Sequence, residues 1–552
     1  GVMPQTREHL DICRLLGVRA GVIAVTKSDL LKDLGAEWMD LLRADLTALC
    51  AGTFLEEAEI IPCSSRTGEG LPALKEALTA LAKNLPARPL EGPTFLPVDR
   101  AFTMKGFGTV VTGTLLSGQL AVEDSASLLP GLPGPLRVRG LQLYGKAADK
   151  VSAGQRVAVN VADVETEQVS RGMVLCRHDE LPPTRMLDVE LTLLPAMDSP
   201  LPKRKKLLLH LGTAQVEAAV VLLDVPELRP GETAFAQIRL GELVAALPGQ
   251  RFILRGFRVL PGRGTTVAGG QVLTVAPPKR RRGASHILQS LKDGDAEGRI
   301  ALLLQQSGYQ GLSARELFAR SGQSQKMLQR TLDLLGTKGV ALLVDKERRL
   351  YLSAEVFKGM VSRCLALIQD FHQREPIKEG LGKEELRQRL SAGLEPRVYG
   401  RVISALVEGG QVEMSGEFLR VKGKGRSLTV GEESLRTKLL AEISAAGLAP
   451  PKLDEVAKNL GLAPERAMEL LKVAVAQGRL FRVTDELFFE RRAIEDLKGR
   501  LVAHLQAHKE ISTQSFKELV GQSRKYVIPL SEFFDREKVT LRIGDKRVLR
   551  RT

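Results

Sequence analysis

Two short polar segments near the start of the chain contain residue types that can bind a guanine base. Thr26, Lys27 and Asp29 follow one apolar run, and Ser64 and Ser65 follow another. A carboxylate such as Asp29 accepts hydrogen bonds from two neighbouring donors, which guanine presents at N1 and N2 and adenine does not. The aliphatic stem of Lys27 can cover the base, and backbone N–H groups after Ser64 can meet the guanine O6.

The elements around these segments alternate between helix and strand. The predicted helices are residues 5–16, 38–49 and 71–85, and the predicted strands are residues 21–25 and 60–63. This alternation predicts a parallel sheet with covered faces. Because open α/β sheets bind ligands at the carboxyl ends of their strands, both polar segments lie at the binding edge.

From near residue 94 to about residue 276, the hydrophobic residues recur with a period of two, in strand-like runs separated by Gly and Pro. This pattern predicts two all-β domains of the barrel type, divided near residues 182–183. Gly106 and Gly108 suit a tight turn better than a phosphate-binding loop. The basic stretch 279–282 lies in the linker that ends this region. We interpret it as a solvated tether, with phosphate contact as the alternative.

The second half of the chain contains four copies of one pattern. The copies align at Leu317, Leu386, Val456 and Phe516. Each predicts a short helix, a turn, a second helix and a two-stranded hairpin, which form a winged helix-turn-helix. Ser313 and Glu316 have the spacing of a capping box. For any single copy, packing on a neighbouring domain is the alternative to nucleic-acid binding.

Composition restricts the class of protein. The 552 residues carry a formal net charge of +15 and are 43% hydrophobic, which favours a folded multidomain protein with a polyanionic partner. No apolar run reaches the roughly 18 residues of a membrane helix, so we expect no membrane partner and a cytoplasmic location. We also expect a monomer. Five cysteines without a CxxC pair, and His504 with His508 as an isolated pair, predict neither disulfides nor a metal site.

Four motifs carry a family resemblance. MPQTREHLDIC at residues 3–13, TKSD at 26–29 and SSRTGEG at 64–70 resemble the second half of the GTP-binding domain of translational GTPases of the elongation factor Tu class. DRAFTMKGFGTVVTG at residues 99–113 is similar to the second-domain signature of selenocysteine-specific elongation factors. Thr26 replaces the asparagine usual in the class, a change that this subfamily tolerates.

The resemblance implies a multidomain fold with a partial α/β P-loop GTPase domain, two β-barrels and four tandem winged-helix domains. The expected limits are 1–88 for the C-terminal half of the GTPase domain, 93–182 for β-barrel domain II, 183–278 for β-barrel domain III, and 285–355, 357–425, 430–491 and 492–552 for the four winged helices. The last of these is the expected RNA-binding domain.

By the same resemblance, Asp99, Arg100 and Arg156 form the aminoacyl pocket. Selenocysteine is mostly an anion at neutral pH, so arginines that stay protonated favour it over neutral serine. A charge-assisted hydrogen bond contributes about 1.5 to 3 kcal/mol. Without the resemblance, Arg100 and Arg156 would be interpreted as surface ion-pair partners.

The fourth winged helix is the most basic, with 14 Lys or Arg residues against 8 Asp or Glu residues from position 492 to 552. Its similarity to the RNA-binding end of selenocysteine factors implies binding to the hairpin of selenoprotein mRNA. The implied contacts are Arg524, Lys525, Tyr526, Arg542, Lys546 and Arg547. Because aromatic residues make up only 4% of the chain, we expect shape and phosphate contacts rather than extensive base stacking.

The motifs that hold nucleotide phosphates do not occur in residues 1–552: there is no GxxxxGK[ST], no switch threonine and no acidic metal ligand before Pro-Gly-His. We expect them upstream of residue 1, where they would hold GTP and Mg²⁺. A chain without them is not expected to hydrolyse GTP.

The implied function is delivery of selenocysteyl-tRNA to the ribosome at recoded UGA codons, with the factor bound to the mRNA hairpin. Two alternatives remain open. A general translational GTPase without selenocysteine specificity needs no winged tail. A non-enzymatic winged-helix DNA-binding regulator has no use for the guanine-binding loops.

Overall fold

The structure is a computed structural model that describes residues 2–30, 36–86, 90–106, 108–259, 264–281, 283–375, 378, 380–422 and 430–550. The chain divides into two compact units, Gly1–Lys358 and Gly359–Thr552. The expected domain limits at residues 1, 88, 425 and 552 lie outside the described residues. Within the described ranges, no helix combines the length and apolar character needed to span a membrane.

The N-terminal part forms an α/β arrangement. Its elements are α1 (Pro4–Leu15), β1 (Ile23–Val25), α2 (Ala36–Cys50), β2 (Ile60–Pro62) and α3 (Leu71–Asn84). Strands β1 and β2 are parallel, with Ile23 opposite Ile60 and Val25 opposite Pro62. The parallel pairing confirms the predicted sheet and places the segments after both strands at one edge.

A first barrel follows. Its strands are β3 (Leu96–Met104), β4 (Gly108–Thr114), β5 (Gln119–Ala121), β6 (Ser125–Leu129), β7 (Leu132–Leu143), β8 (Lys146–Ala148), β9 (Lys150–Ser152), β10 (Arg156–Val161) and β11 (Val174–Arg177). Strand β10 pairs with both β4 and β7, which closes the ring β4-β3-β11-β6-β7-β10. Val157, Val159 and Val161 are buried because alternate side chains of a strand share one face. Gly106 and Gly108 both have a φ of 82°, as the predicted turn requires.

The second barrel contains β12 (Thr184–Leu193), β13 (Leu201–Pro202), β14 (Arg204–Leu211), β15 (Ala214–Leu222), β16 (Glu227–Leu228), β17 (Thr233–Val244), β18 (Arg251–Arg255) and β19 (Thr266–Val275). Strands β12-β17-β15-β14-β18-β19 form a closed ring. A Cβ atom at Gly270 would lie 1.9 Å from the carbonyl oxygen of Glu190. Only glycine therefore allows this close approach of β19 to β12.

Helix α1 packs against the second barrel. Leu15 and Ile253 share a small apolar cluster. The Glu8 carboxylate accepts hydrogen bonds from the Thr265 N–H at 3.0 Å and the Thr266 hydroxyl at 2.9 Å. Burial alone raises the pKa of Glu8, but these hydrogen bonds outweigh burial and lower the pKa below its usual value. The contact attaches the α/β part to the barrel.

Four winged units follow the barrels. The first contains α4 (Ser285–Asp293), α5 (Ala296–Gln306), β20 (Leu312–Ser313), α6 (Ala314–Ser321), α7 (Gln325–Thr337), β21 (Ala341–Asp345) and β22 (Leu350–Ser353). The second contains α8 (Ala354–Arg374), β23 (Leu381–Gly382), α9 (Lys383–Leu390), α10 (Pro396–Glu408), β24 (Val412–Ser415) and β25 (Phe418–Val421).

The third winged unit contains α11 (Val430–Ala445), α12 (Leu453–Asn459), α13 (Pro464–Ala476), β26 (Leu480–Arg482) and β27 (Phe488–Glu490). The fourth contains α14 (Arg491–His508), β28 (Glu510–Ser512), α15 (Thr513–Val520), α16 (Arg524–Arg536), β29 (Thr540–Ile543) and β30 (Lys546–Leu549). Each unit has the predicted pair of helices followed by a hairpin.

The winged sheets of the first, second and fourth units have one strand more than predicted. The additional strands β20, β23 and β28 pair with β22, β25 and β30. They are two or three residues long, too short to show a period of two in the sequence. Ser313 and Glu316 form the predicted capping box: the Glu316 N–H donates to Ser313 Oγ at 3.2 Å, and the Ser313 N–H donates to Glu316 Oε2 at 2.9 Å.

The linker after the second barrel corrects one prediction. Arg282 lies outside the described residues, and Arg281 is exposed, but Arg280 is not a solvated tether. The Arg280 side chain is only 5% exposed, and its Nη2 lies 2.7 Å from Asp188 Oδ2. Asp188 is fully buried in β12, where Gln237 donates a second hydrogen bond to its Oδ1 at 3.0 Å. A buried carboxylate requires such partners, so the barrel binds the arginine.

Candidate nucleotide, aminoacyl and RNA sites

Strands β1 and β2 bring the two polar segments of the predicted guanine site together. The Cys63 N–H donates to the Val25 carbonyl at 2.8 Å, and the Ser28 N–H donates to the Cys63 carbonyl at 3.2 Å. Lys27 has a φ of 60°, which turns the chain directly after the strand. The two loops therefore continue the parallel pairing beyond the sheet.

Asp29 is held by the second loop. The buried Ser64 hydroxyl donates to Asp29 Oδ1 at 2.7 Å and accepts from the Arg66 N–H at 3.2 Å. Arg66 Nε lies 3.4 Å from Asp29 Oδ2. These contacts orient a carboxylate that remains 13% exposed. The role of Ser64 here is to position Asp29, and Arg66 is a partner that the sequence did not reveal.

The side chains around this carboxylate face solvent. Thr26, Lys27 and Ser65 are all exposed. The second loop folds back on the end of β2, where a Cβ atom on Gly70 would lie 2.0 Å from the Pro62 carbonyl oxygen. Gly70 has a φ of 76°, so both space and backbone conformation require glycine at this position. The arrangement leaves an open edge on which a planar base can lie.

The three residues of the expected aminoacyl pocket lie on β3 and β10 of the first barrel, the two strands that flank β4. Arg156 Nη1 lies 2.5 Å from Asp99 Oδ2, and Nη2 lies 3.1 Å from Oδ1. The Thr112 hydroxyl donates to Asp99 Oδ1 at 2.8 Å. The hydrogen bonds from Arg156 and Thr112 and the nearby charge of Arg100 outweigh burial and lower the pKa of Asp99. Asp99 therefore stays ionised and holds the Arg156 guanidinium in a fixed orientation.

Arg100 differs from Arg156 in its contacts. Its side chain is exposed and forms no ion pair with another described residue. Arg156 is thus held in a bidentate ion pair with Asp99. Arg100, the residue after Asp99 on β3, is available to an anion. Of the two arginines, only Arg156 has, among the described residues, the ion-pair partner that the alternative interpretation expected for both.

The start of α16 presents the expected RNA-contacting residues of the fourth winged unit. Arg524 and Lys525 are exposed, and Tyr526 is half-buried. Lys525 Nζ lies 5.3 Å from the centre of the Tyr526 ring. The tyrosine holds the lysine at the first turn of the helix, where backbone N–H groups also attract phosphate.

The hairpin of the same unit presents Arg542 and Lys546, both exposed. Arg542 Nε donates to the Gly544 carbonyl at 3.1 Å, which fixes the guanidinium beside the hairpin turn. Lys546 Nζ forms an ion pair with Glu510, and both side chains remain about half exposed. Because exposed ion pairs contribute little, Lys546 can exchange this partner for a phosphate.

Arg547 is a correction to the sequence prediction. Only 9% of its side chain is exposed, and its Nε lies 3.0 Å from Asp535 Oδ2. The arginine therefore connects the hairpin to α16 and does not present its charge to RNA. Successive residues of a strand point to opposite faces, so Arg547 lies inside where Lys546 lies outside.

His504 and His508 lie one turn apart on α14. The rings of His504 and His508 stack with centres 4.6 Å apart. Within the described ranges, no group of three or more His, Cys, Asp or Glu side chains is arranged to hold a metal ion.

Comparisons with known proteins cover every part of this arrangement. Family models described as "Elongation factor Tu domain 2" and "Selenocysteine-specific elongation factor, beta-barrel domain" match residues 108–176 and 188–279. Two models described as "Elongation factor SelB, winged helix" match residues 365–421 and 503–549. A selenocysteine-specific elongation factor of Desulfomicrobium baculatum is 36% identical over 553 residues, which cover 100% of this chain and 86% of that protein. The chain belongs to the selenocysteine-specific elongation factor family.

Two further matches agree with membership of the selenocysteine-specific elongation factors. The factor of Escherichia coli strain K12 is 27% identical, with 100% of this chain and 85% of that protein covered. The crystal structure of a bacterial selenocysteine-specific elongation factor, EF-Sec, has a TM-score of 0.61 at 22% identity, with 100% of this chain and 84% of that chain covered. This second match shows a shared fold.

Family membership confirms the resemblance found in the sequence and the multidomain fold that it implied. The selenocysteine-specific elongation factors are translational GTPases, a class that binds guanine nucleotides. The matches support neither a general translational GTPase nor a DNA-binding regulator.

Proposed function

We propose that the protein delivers selenocysteyl-tRNA to the ribosome at recoded UGA codons while it is bound to the hairpin of a selenoprotein mRNA. The observation that supports this most directly is the full-length match to a selenocysteine-specific factor, which includes the barrels and the winged units together. We propose the cytoplasm as its location and a monomer as its working form. Competition between selenocysteyl-tRNA and seryl-tRNA for the intact protein tests the proposal, and equal binding of the two would falsify it.

In this proposal GTP binds with its guanine edge on Asp29. The Ser64 and Arg66 contacts hold the carboxylate towards the open edge, Lys27 covers the base, and Thr26 and Ser65 lie beside it. In this class of GTPase, Mg²⁺ and the attacking water are held by the phosphate-binding motifs. Residues 1–552 do not contain these motifs. We therefore propose that hydrolysis requires those motifs and that this sequence by itself does not hydrolyse GTP.

The aminoacyl group is proposed to lie against Arg100 and Arg156. A selenolate placed there pairs with permanently charged guanidinium groups, whereas a neutral seryl group leaves them without an anion. Asp99 acts through Arg156, because the bidentate ion pair fixes the direction of that guanidinium.

Arg156→Ala is expected to reduce the preference for selenocysteyl-tRNA over seryl-tRNA by roughly ten- to a hundredfold. The substitution removes one positive charge and leaves the Asp99 carboxylate without its main partner, so the pocket becomes repulsive to an anion. Competition binding with the intact protein measures the ratio. Arg156→Lys is the control, since it keeps the charge without the bidentate geometry and should retain part of the preference. An unchanged ratio in Arg156→Ala would remove the arginine from the pocket.

Arg524→Ala is expected to weaken binding of the mRNA hairpin by about 1 to 3 kcal/mol if Arg524 contacts a base. If Arg524 contacts a phosphate, the slope of log affinity against log salt concentration should become shallower by about one. Hairpin titrations of the intact protein at several salt concentrations separate the two cases. Lys498→Ala, which changes an exposed cation on α14, serves as the matched control. If Arg524→Ala and its control bind alike in both respects, the hairpin interface lies elsewhere.

A further inference from the structure

The second helices of the four winged units begin in two different ways. In the first and fourth units the sequence is Gly-Gln-Ser-x-Lys, at residues 322–326 and 521–525. In the second and third units the helix begins with a proline, Pro396 or Pro464. The first unit therefore shares the Gly-Gln-Ser-x-Lys helix start with the unit proposed to bind the mRNA hairpin, and the other two units do not.

The first winged unit uses a different helix to attach to the barrels. Ala319 of α6 is fully buried in a cluster with Phe95 and Ala245. Arg315, also on α6, lies 2.9 Å from Asp179. Docking through α6 leaves the outer side of α7 exposed, so packing on a neighbour does not account for the residues of α7.

The exposed side of α7 is positively charged. Lys326 and Arg330 are four residues apart, on one face of the helix, and both are exposed. Neither forms an ion pair or hydrogen bond with another described side chain. Ser324 caps the helix by accepting a hydrogen bond from the Met327 N–H at 3.2 Å. The helix is thus fixed while its two cations stay available.

The hairpin turn between β21 and β22 extends this surface. Arg349 donates a hydrogen bond to Gln329 of α7, which joins the turn to the helix. The exposed cations of the helix and the turn form what we term the unit-1 basic face, which consists of Lys326, Arg330, Lys346, Arg348 and Arg349. Two exposed carboxylates, Asp333 and Glu347, lie among these five cations. Asp333 accepts a hydrogen bond from Gln329 at 2.6 Å.

We propose that the unit-1 basic face is a second RNA-binding surface, which contacts the phosphates of an RNA double helix. A helix and a basic hairpin turn can follow the backbone of a duplex, and lysine and arginine contacts to phosphate need no base sequence. The inference extends the proposed function, because it assigns to the first unit the chemistry proposed for the fourth. The hairpin and the duplex then bind at different places on one chain.

The test measures binding of the intact protein to a blunt RNA duplex of about 16 base pairs that has no loop. The double variant Lys326→Glu/Arg330→Glu is expected to bind about tenfold more weakly. The slope of its log affinity against log salt concentration should be shallower by about two. Lys358→Glu/Arg363→Glu, which reverses two exposed cations on α8, is the charge-matched control and should bind like the parent protein. Equal affinity and salt dependence in parent and Lys326→Glu/Arg330→Glu would overturn the inference.

Two further arms separate this inference from the proposed function and from a protein partner. Hairpin binding should depend on Arg524 and not on Lys326. If the parent protein does not bind the hairpin, the proposed function is contradicted and the duplex result stands; if hairpin binding is unchanged in Arg524→Ala, the hairpin interface lies elsewhere than at Arg524. A polyglutamate peptide serves as the acidic-protein probe. If Lys326→Glu/Arg330→Glu abolishes binding of this peptide while duplex binding is unchanged, the face recognises acidic protein and the inference is wrong.

Discussion

Arg280→Met is expected to lower the free energy of unfolding of the second barrel by about 3 to 5 kcal/mol. The substitution leaves the Asp188 carboxylate buried with Gln237 as its remaining described partner. Removal of one member of a buried ion pair is strongly destabilising because the other charge stays out of water. Hydrogen exchange of the β12 and β17 amides, followed in increasing urea, measures the effect within the barrel itself.

The same variant has an expected pH dependence. Burial raises the pKa of Asp188, while Arg280 and Gln237 oppose this increase. Without Arg280 the folded-state pKa rises further above its unfolded value, so the folded protein binds the proton more tightly than the unfolded chain does. The variant should therefore regain stability as the pH falls and lose it as the pH rises through this range.

Arg281→Met is the matched control, because Arg281 is the exposed neighbour in the same linker. It should change the stability of the barrel by less than about 0.5 kcal/mol. If Arg280→Met and Arg281→Met have equal effects at every pH, the ion pair does not support the barrel.

Asp29→Asn is expected to change nucleotide selectivity by about a hundredfold or more, from guanosine towards xanthosine nucleotides. The carboxylate accepts two hydrogen bonds from guanine, each contributing about 1.5 to 3 kcal/mol because the acceptor is charged. An amide offers one donor and one acceptor, which matches the oxygen of xanthine in place of the guanine amino group.

Competition between GTP and xanthosine triphosphate for the intact protein measures this change. Asp45→Asn on the exposed side of α2 is the control and should keep the preference for GTP. Retained GTP preference in Asp29→Asn would show that the loops after β1 and β2 do not form the guanine site.

The sequence was sufficient to predict a structural feature where the residues that determine it lie close together in the chain or form a repeated pattern. Alternating helices and short apolar runs predicted the parallel pairing of β1 and β2, and with it the common edge for Asp29 and Ser64. A capping box requires only four consecutive residues, so Ser313 and Glu316 were visible as a pair. The winged units were visible because the same pattern of apolar positions occurs four times.

The local signals failed where a side chain's partner lies far along the chain. Arg280 and Arg547 belong to basic stretches, and each stretch by itself predicts solvent exposure or contact with phosphate. Burial was decided by Asp188, 92 residues from Arg280, and by Asp535 on the helix before the hairpin of Arg547.

The amino-acid sequence by itself therefore determined the order of domains, the family and the edge at which a guanine base is proposed to bind. The tertiary structure decided which cations remain available to an anionic partner: Arg100 but not Arg280 or Arg547, with Lys326 and Arg330 added on the first winged unit. The physical reason is that a cation buried against a carboxylate, as Arg280 and Arg547 are, is not accessible to an external anion. That burial depends on contacts which form when distant strands and helices come together.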